Sequence, residues 1–372
     1  MKKKVIVSVT NDLVSDRRVD RVCNTLCEMG FSVSLLGRRY QNSLPLSGRA
    51  YHTHRIHLVF RRGFLFYAEY NIRLFFFLLF SKSKLLVSND LDTLLPNFLV
   101  HRIKGIPLVY DTHEYFTGVP ELVNKPVIRN FWKRIERWIF PKLRHVITVN
   151  ESIARLYREE YGNEILVVRN IPEKLLRVPS TRRSDLGLPE DKKIILLQGA
   201  GINIDRGAEE AIEAMRFVDN ALLVILGDGD VVEKLKQQVK TQKLQEKVKF
   251  IPRQVPEQLY EYTTKADIGL SIDKNNNINY RYSLPNKVFD YIHAGVPVLA
   301  SDLVEVKRIV EKYQVGSLIS SHEPGHIAEK MKQMLGDEKA QQAWKHNLKI
   351  AAAELNWESE KKVLTELYSQ YV

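Results

Sequence analysis

The chain has 372 residues, 44% of them hydrophobic and 27% charged, with 56 Lys and Arg against 44 Asp and Glu for a net charge of +12. These totals describe a globular protein long enough for two domains, and they leave little room for a zinc module, since Cys23 and Cys27 are the only cysteines. The basic excess lacks the tail and the aromatic signature of a nucleic-acid binder, so it points to an anionic substrate or an acidic surface. In chain order, Lys4 to Thr10 reads as a strand, residues 17–29 as a helix closed by Gly30, and 31–37 as a second strand. The alternation continues with a helix over 64–80, a strand at 85–88, a helix at 92–104 and a strand at 108–111. A helix over 128–141, a strand at 145–149, a helix at 151–160 and a strand at 165–168 complete the first half. Residues 172–191, rich in Pro, Arg and Ser, read as a linker. Strands at 193–198, 221–226, 247–251, 267–271, 298–300 and 316–320 then alternate with helices, ending in helices at 324–335 and 338–353 and a helical tail from Trp357. Strand and helix in strict alternation predict an α/β protein with two doubly wound, Rossmann-like parallel domains facing a cleft.

Met1-Lys-Lys-Lys precedes an apolar stretch too short for a signal peptide, and the longest apolar run, Leu74 to Phe80, is too short to cross a bilayer. The expected location is cytoplasmic, at most on a membrane surface. Cys23 and Cys27 are expected to be buried and free. His52, His54 and His57 do not share a face at metal spacing and are expected on a surface strand.

Residues 282–302, YSLPNKVFDYIHAGVPVLASD, organise the second half. Pro285 suits a first helical turn, Val288, Phe289, Tyr291 and Ile292 form a buried stripe, and Gly295 and Pro297 stop the helix. The backbone amides of residues 283 to 287, from Ser283 through Leu284 and Asn286, are then expected to be unpaired donors, and with Lys287 they form a phosphate site. Asp290, one turn on, suits a sugar diol. An anion held beside a carboxylate is what a nucleotide-sugar requires.

This run resembles the donor signature of the retaining glycosyltransferases of the GT-B fold, in particular glycosyltransferase family four, on its Pro-Asn-Lys, Phe-acid-Tyr and Gly-x-Pro. The resemblance implies a ribose-diol role for Asp290. The family's first acid falls on Tyr282, so its contact with the transferred sugar does not carry over. It further implies domains at 1–172 (acceptor side) and 173–355 (nucleotide-sugar donor), with 356–372 a helix returning to the first domain.

Other motifs take their meaning from strand ends. Gly199 and Gly201, followed by Arg206-Gly207, form a glycine-rich turn through which backbone approaches phosphate, and Arg206 adds a bidentate charge. Arg206 stands where the family has a basic residue, and with Lys287 it is expected to stabilise the leaving diphosphate. Gly227-Asp228-Gly229 resembles the family's nucleotide-lining turn, and Arg253 follows the next strand where the family meets the base. In the first half, Asp111-Thr112-His113-Glu114 resembles the family's Asp-x-His-Glu, which implies that His113 faces the cleft and orients sugar or phosphate rather than acting as a base. Asn11, Asp12, Asp16 and Arg18 are expected on the acceptor side, together with Glu114. Arg61 to Tyr67 and the helix bearing Trp132, Arg134, Arg137 and Trp138 mix basic and aromatic residues; such faces rest on anionic lipid, or else the aromatics belong to the core.

The reading is a metal-independent retaining glycosyltransferase that needs no cofactor. It takes a nucleoside-diphosphate-sugar to a glycan or lipid-linked acceptor of cell-surface polysaccharide assembly, and no nucleic acid takes part. A nucleotide-sugar epimerase of the same architecture and a non-catalytic partner subunit are the alternatives.

Overall fold

A computed structural model describes every residue except 1, 15, 42, 44, 47, 120, 121, 123, 124 and 175–180. The chain divides into two compact units, residues 1–170 with 360–372 and residues 171–359. The middle of the expected linker, residues 175–180, lies outside the described residues.

In the first unit the strands are β1 (Lys4–Ser8), β2 (Ser32–Arg38), β3 (His52–Ile56), β4 (Leu85–Asn89), β5 (Leu108–Thr112), β6 (His145–Thr148) and β7 (Ile165–Val167). Between them run α1 (Arg17–Glu28), α2 (Gly63–Phe80), α3 (Leu91–Lys104), α4 (Pro126–Ile139) and α5 (Glu151–Tyr161). All seven strands are parallel, in the order β3-β2-β1-β4-β5-β6-β7. The order reverses between β1 and β4, so consecutive connections there leave in opposite directions and open a crevice at the strand ends.

The second unit repeats the plan with β8 (Lys193–Gly199), β9 (Ala221–Gly227), β10 (Val248–Ile251), β11 (Ile268–Ser271), β12 (Val298–Ser301) and β13 (Gly316–Ile319). Its helices are α6 (Ala208–Ala214), α7 (Val232–Thr241), α8 (Pro256–Thr263), a short α9 (Ile278–Arg281), α10 (Asn286–Ala294), α11 (Val304–Tyr313), α12 (Pro324–Gly336) and α13 (Glu338–Glu354); the last helix, α14 (Trp357–Ser369), belongs from Glu360 onward to the first unit. The parallel order is β10-β9-β8-β11-β12-β13, and its switch point lies between β8 and β11. The strands are apolar on both faces because both faces are covered. Ile195, Leu197, Leu223 and Ile225 belong to one core, and Ile194, Leu196, Leu222 and Val224 to the other.

Helix α10 has the stripe expected of it, with Val288, Phe289, Tyr291 and Ile292 buried and Gly295 ending it at φ +72°. Pro285, however, is the capping residue and not the first helical one, since its ψ of 139° is extended. The helix lies close on β11 because residue 269 has no side chain: a Cβ there would stand 2.5 Å from the Tyr291 ring. That ring is fixed by its hydroxyl, which donates towards the carbonyls of Leu196 (3.0 Å) and Leu270 (3.2 Å).

Two expectations change here. The run Leu74 to Phe80 is the end of α2, an 18-residue helix that by length and composition alone meets the minimum for a membrane span. Of the two cysteines, both free, Cys23 is buried but Cys27 is half-buried.

Gly269→Ala should force Tyr291 off its two carbonyls. The expected loss is about 1–3 kcal/mol of unfolding free energy for the second unit, read from urea denaturation.

Candidate active site

In the second unit the functional side chains gather at the switch point. Gln198, the buried penultimate residue of β8, donates from Nε2 to Asp290 Oδ2 at 3.1 Å. Its own Oε1 accepts from Thr263 Oγ1 at 2.8 Å, so the amide cannot turn away and Asp290 is held from behind. On the other side of β8, Asp273 follows the end of β11 and is completely buried. Its Oδ1 meets Arg206 Nη1 at 3.0 Å and its Oδ2 faces Lys287 Nζ at 3.5 Å. The Arg206 guanidinium also lies over the Tyr280 ring, 4.4 Å from its centroid.

Local sequence explains the convergence. Gly207, at φ +78°, turns the chain under the end of β11; a Cβ there would sit 2.3 Å from the carbonyl oxygen of Ile272. The turn that bears Arg206 can therefore press against the strand end that bears Asp273. Burial works against the Arg206 charge, but the Asp273 carboxylate outweighs it and raises the guanidinium pKa. For Lys287 burial wins and its pKa is lowered, with Arg206 adding to the effect and Asp273 opposing it. Two cations thus share one carboxylate, an arrangement with positive charge left over for an anion.

The start of α10 carries no side-chain cap. Asn286 and Lys287 stand in its first turn, where amides have no partner within the helix. Ser283 does not join them as expected: its amide (3.1 Å) and its hydroxyl (2.9 Å) both donate to the carbonyl of Tyr280, at the end of α9. Leu284 packs part-buried against the core beneath.

The glycines divide into two kinds. At Gly199 and Gly201 an added Cβ would meet nothing nearer than 3.6 Å, an ordinary contact, so the fold itself does not require glycine there. At Gly227 and Gly229 the need for glycine comes from the protein itself, because a Cβ would stand 1.8 Å from the Gly199 carbonyl oxygen and 2.2 Å from that of Ile202. The two loops are laced together there: the Ile202 amide donates to the Asp228 carbonyl at 2.8 Å, and Asp228 Oδ1 accepts from the Gly229 amide at 2.8 Å. Arg253 is exposed after the edge strand β10, two strands from β8, and joins none of these groups among the described residues.

The first unit builds a comparable knot at its own switch point. Asp90, at φ +57°, accepts the His113 amide on Oδ1 at 2.8 Å, and the His113 imidazole has Asn89 Oδ1 at 3.2 Å and Asp90 Oδ2 at 3.4 Å. Asp111 lies behind, 3.8 Å from Nε2. Burial lowers the imidazole pKa, but the carboxylates of Asp90 and Asp111 outweigh it and bring it up to about 9. His113 is therefore a fixed cation at neutral pH, suited to hold negative charge and not to accept a proton. Burial raises the pKa of the nearby Asp92 to about 7, with the Asp90 charge adding to the effect, and its Oδ2 accepts from Thr10 at 2.6 Å.

Four expected acceptor-side residues have other work. Arg18 does not face outward: it is buried, gives Asp111 a bidentate pair (2.7 and 3.1 Å) and donates to the carbonyl of Val168 at 2.5 Å. Burial would raise Asp111, but Arg18 outweighs it and holds this carboxyl down at about 2. Asp16 caps α1 by accepting from the Val19 amide at 3.0 Å. Asn11 and Asp12 fold the turn onto itself, accepting from the amides of Leu13 (2.9 Å) and Val14 (3.2 Å). Glu114 is half-buried, and its carbonyl accepts from Thr112 Oγ1 at 2.8 Å. Asp273, Gln198 and Asp90 escaped the sequence reading. Each stands at or next to the carboxyl end of a parallel strand beside a switch point, and that position was the available signal.

Family models match both halves: "Glycosyltransferase Family 4" over residues 15–171 and "Glycosyl transferases group 1" over residues 180–350. No curated protein matches the sequence. Among solved structures, the chain is similar to a sucrose-phosphate synthase from Thermosynechococcus elongatus (TM-score 0.84, 16% identity, 100% of this chain and 99% of that one). It is similar to HepE of Anabaena, solved with UDP and glucose (TM-score 0.77, 15% identity, 99% and 100%). A third is WaaG, a glycosyltransferase involved in lipopolysaccharide biosynthesis (TM-score 0.73, 16% identity, 98% and 99%). At these identities the likeness is one of fold.

Two measurements check the electrostatics. A folded-state pKa raised from 6.5 to about 9 means that His113 adds stability fully below pH 6.5 and loses that contribution as pH rises through 9. Its imidazole resonances should accordingly titrate with a midpoint near 9. Asp273→Asn leaves two half-paired cations in a buried place and should cost about 3 kcal/mol in urea denaturation.

Proposed function

The chain belongs to the group 1 glycosyltransferases of the GT-B fold, and from that premise we propose that it moves a sugar from a nucleoside-diphosphate-sugar with retention of anomeric configuration. The observation that carries the donor assignment is the sharing of buried Asp273 by Arg206 and Lys287 beside the uncapped start of α10. In this reading the diphosphate sits against those two cations and the amides of the first turn. Asp290, steadied by Gln198, takes the ribose diol. HepE, of similar fold, is solved with UDP and glucose, which supports a nucleotide-sugar donor.

The chemistry follows from where charge develops. As the glycosidic bond breaks, the diphosphate gains negative charge, and Arg206 and Lys287 are already placed and partly desolvated to receive it. Because Asp273 fixes both, little reorganisation is needed at that moment. The acceptor hydroxyl attacks on the face the diphosphate leaves; the new bond to the anomeric carbon forms as the old one breaks, and the diphosphate oxygen takes the hydroxyl proton. The two side-chain cations supply the positive charge, so the proposal needs no metal. His113, held positive in the first unit, is suited to hold a negatively charged group there. The acceptor is a glycan or lipid-linked intermediate of cell-surface polysaccharide assembly on the cytoplasmic side, a reading supported by the fold shared with WaaG.

Arg206→Ala and Lys287→Ala should each lower kcat by ~10²-fold or more, and Asp290→Asn should act mainly on the KM for the donor. A thermal-shift screen against UDP-, GDP-, ADP- and dTDP-sugars identifies the donor, because a ligand of the folded state raises its apparent stability. NMR of the product's anomeric proton checks retention. Normal turnover in both cation variants would overturn the assignment.

A further inference from the structure

Helix α2 buries one stripe and leaves another bare. Phe66, Tyr70, Leu74 and Leu78, four residues apart, face the core. On the opposite side Leu65, Ile72, Phe76 and Phe80 recur at helical spacing, and with Phe64 these five are 51–80% exposed. Helix α4 has the same division. Trp132, Glu136 and Ile139 are buried, while Val127, Phe131, Arg134 and Trp138 follow one another at intervals of four, three and four along its outer side.

The two bare stripes join. The rings of Phe64 and Phe131 touch edge to face with centroids 5.9 Å apart, α3 packs against both helices, and Ile103 at the end of α3 is also exposed. Scattered exposed apolar residues need no explanation, but a continuous face of large side chains across two helices does.

The charges along these two helices are mostly basic, and Glu160 of α5, which reaches α4, is paired with Lys133 at 2.7 Å and lies 3.9 Å from Arg137. From Ile56 to Asn89 the single acid is Glu69, whose carboxylate is engaged by the amides of Val59 and Phe60 and by Arg73. From Lys125 to Arg144 the single acid is Glu136, which is buried and paired with Lys133. Exposed bases stand against these: Arg61 and Arg62 at the start of α2, Lys82 just beyond its end, and Arg129, Arg134 and Arg137 on α4. Lys142 lies over the Trp138 ring, 5.0 Å from its centroid.

We propose that the joined outer faces of α2 and α4 rest on an anionic lipid bilayer, with the apolar stripes in the interface and the bases at the headgroups. An apolar side rimmed with Arg and Lys, on which the described acids Glu69, Glu136 and Glu160 are each paired with a base, is the pattern of an interfacial helix. A second copy of the same face would bring these bases against one another, whereas acidic headgroups complement them. The inference deepens the proposed lipid-linked acceptor, because it brings the first unit to the surface where such an acceptor resides. It does not depend on the donor site, which lies in the other unit.

The test is flotation of the full chain with vesicles of phosphatidylcholine alone or containing about one-third phosphatidylglycerol. The protein is expected to float with the anionic vesicles at low salt, to stay down with the neutral ones, and to be released by high salt. The variants Leu65→Ser/Phe76→Ser/Phe80→Ser and Arg61→Ser/Arg62→Ser/Arg134→Ser should each weaken recovery roughly tenfold or more. Both should unfold like the parent in urea and keep the thermal shift given by the donor nucleotide. Failure of the parent to float with anionic vesicles overturns the proposal, as does undiminished recovery of the apolar variant. A parent dimer that the variants dissolve, without vesicle recovery, assigns the face to a second copy and overturns it equally. Loss of the nucleotide shift in the parent would count against the donor reading alone.

Discussion

One buried carboxylate holds the second unit's site together. Asp273 has no exposed surface, and the two groups it faces, Arg206 and Lys287, come from different segments that only the sheet brings together. A lone carboxylate in such a place would be costly, and two lone cations more so; together they are tolerable and rigid. Gly207 makes the meeting possible by letting the chain pass within van der Waals reach of Ile272. The site's positive charge is therefore built during folding and need not be assembled when a ligand arrives.

The first unit solves a similar problem with similar parts. Asp111, at the end of β5, is buried behind Arg18, and it also faces His113. In both units an arginine from the stretch after the unit's first strand pairs with an aspartate at the end of a strand near the switch point. A second, partly exposed base shares the carboxylate: Lys287 in one unit and His113 in the other. Burial lowers both pKa values, but the two carboxylates beside His113 outweigh it and that pKa rises, whereas at Lys287 the single carboxylate does not, Arg206 adds to the effect, and the pKa falls.

The outer side of the first unit follows a different rule. Helices α2 and α4 each bury one stripe and turn another outward with basic residues around it. Water does not reward such a surface, so its persistence in the fold needs a second solvent. The candidate site in the second unit depends on charge held inside, whereas this face depends on apolar groups held outside.

The sequence by itself determined the order of elements, because apolar runs of strand length alternate with helical periodicity and with Gly and Pro at the breaks. It also determined the stripe of α10 and the turn at Gly295, where local pattern and backbone chemistry coincide. Strand-end position marked His113 and Arg206, and the helix start expected at Pro285 marked Lys287 and Asp290, before any contact was known. Only the tertiary structure decided which charged side chains face inward. Arg18 and Asp16 read as site residues in a polar turn, yet one is locked to Asp111 and the other caps α1. The pattern singled out nothing at Asp273, and Phe76 and Phe80 stood only as part of an apolar run. The reason is physical: burial and pairing are set by segments far apart in the chain, and periodicity reports which residues share a face but not what that face meets.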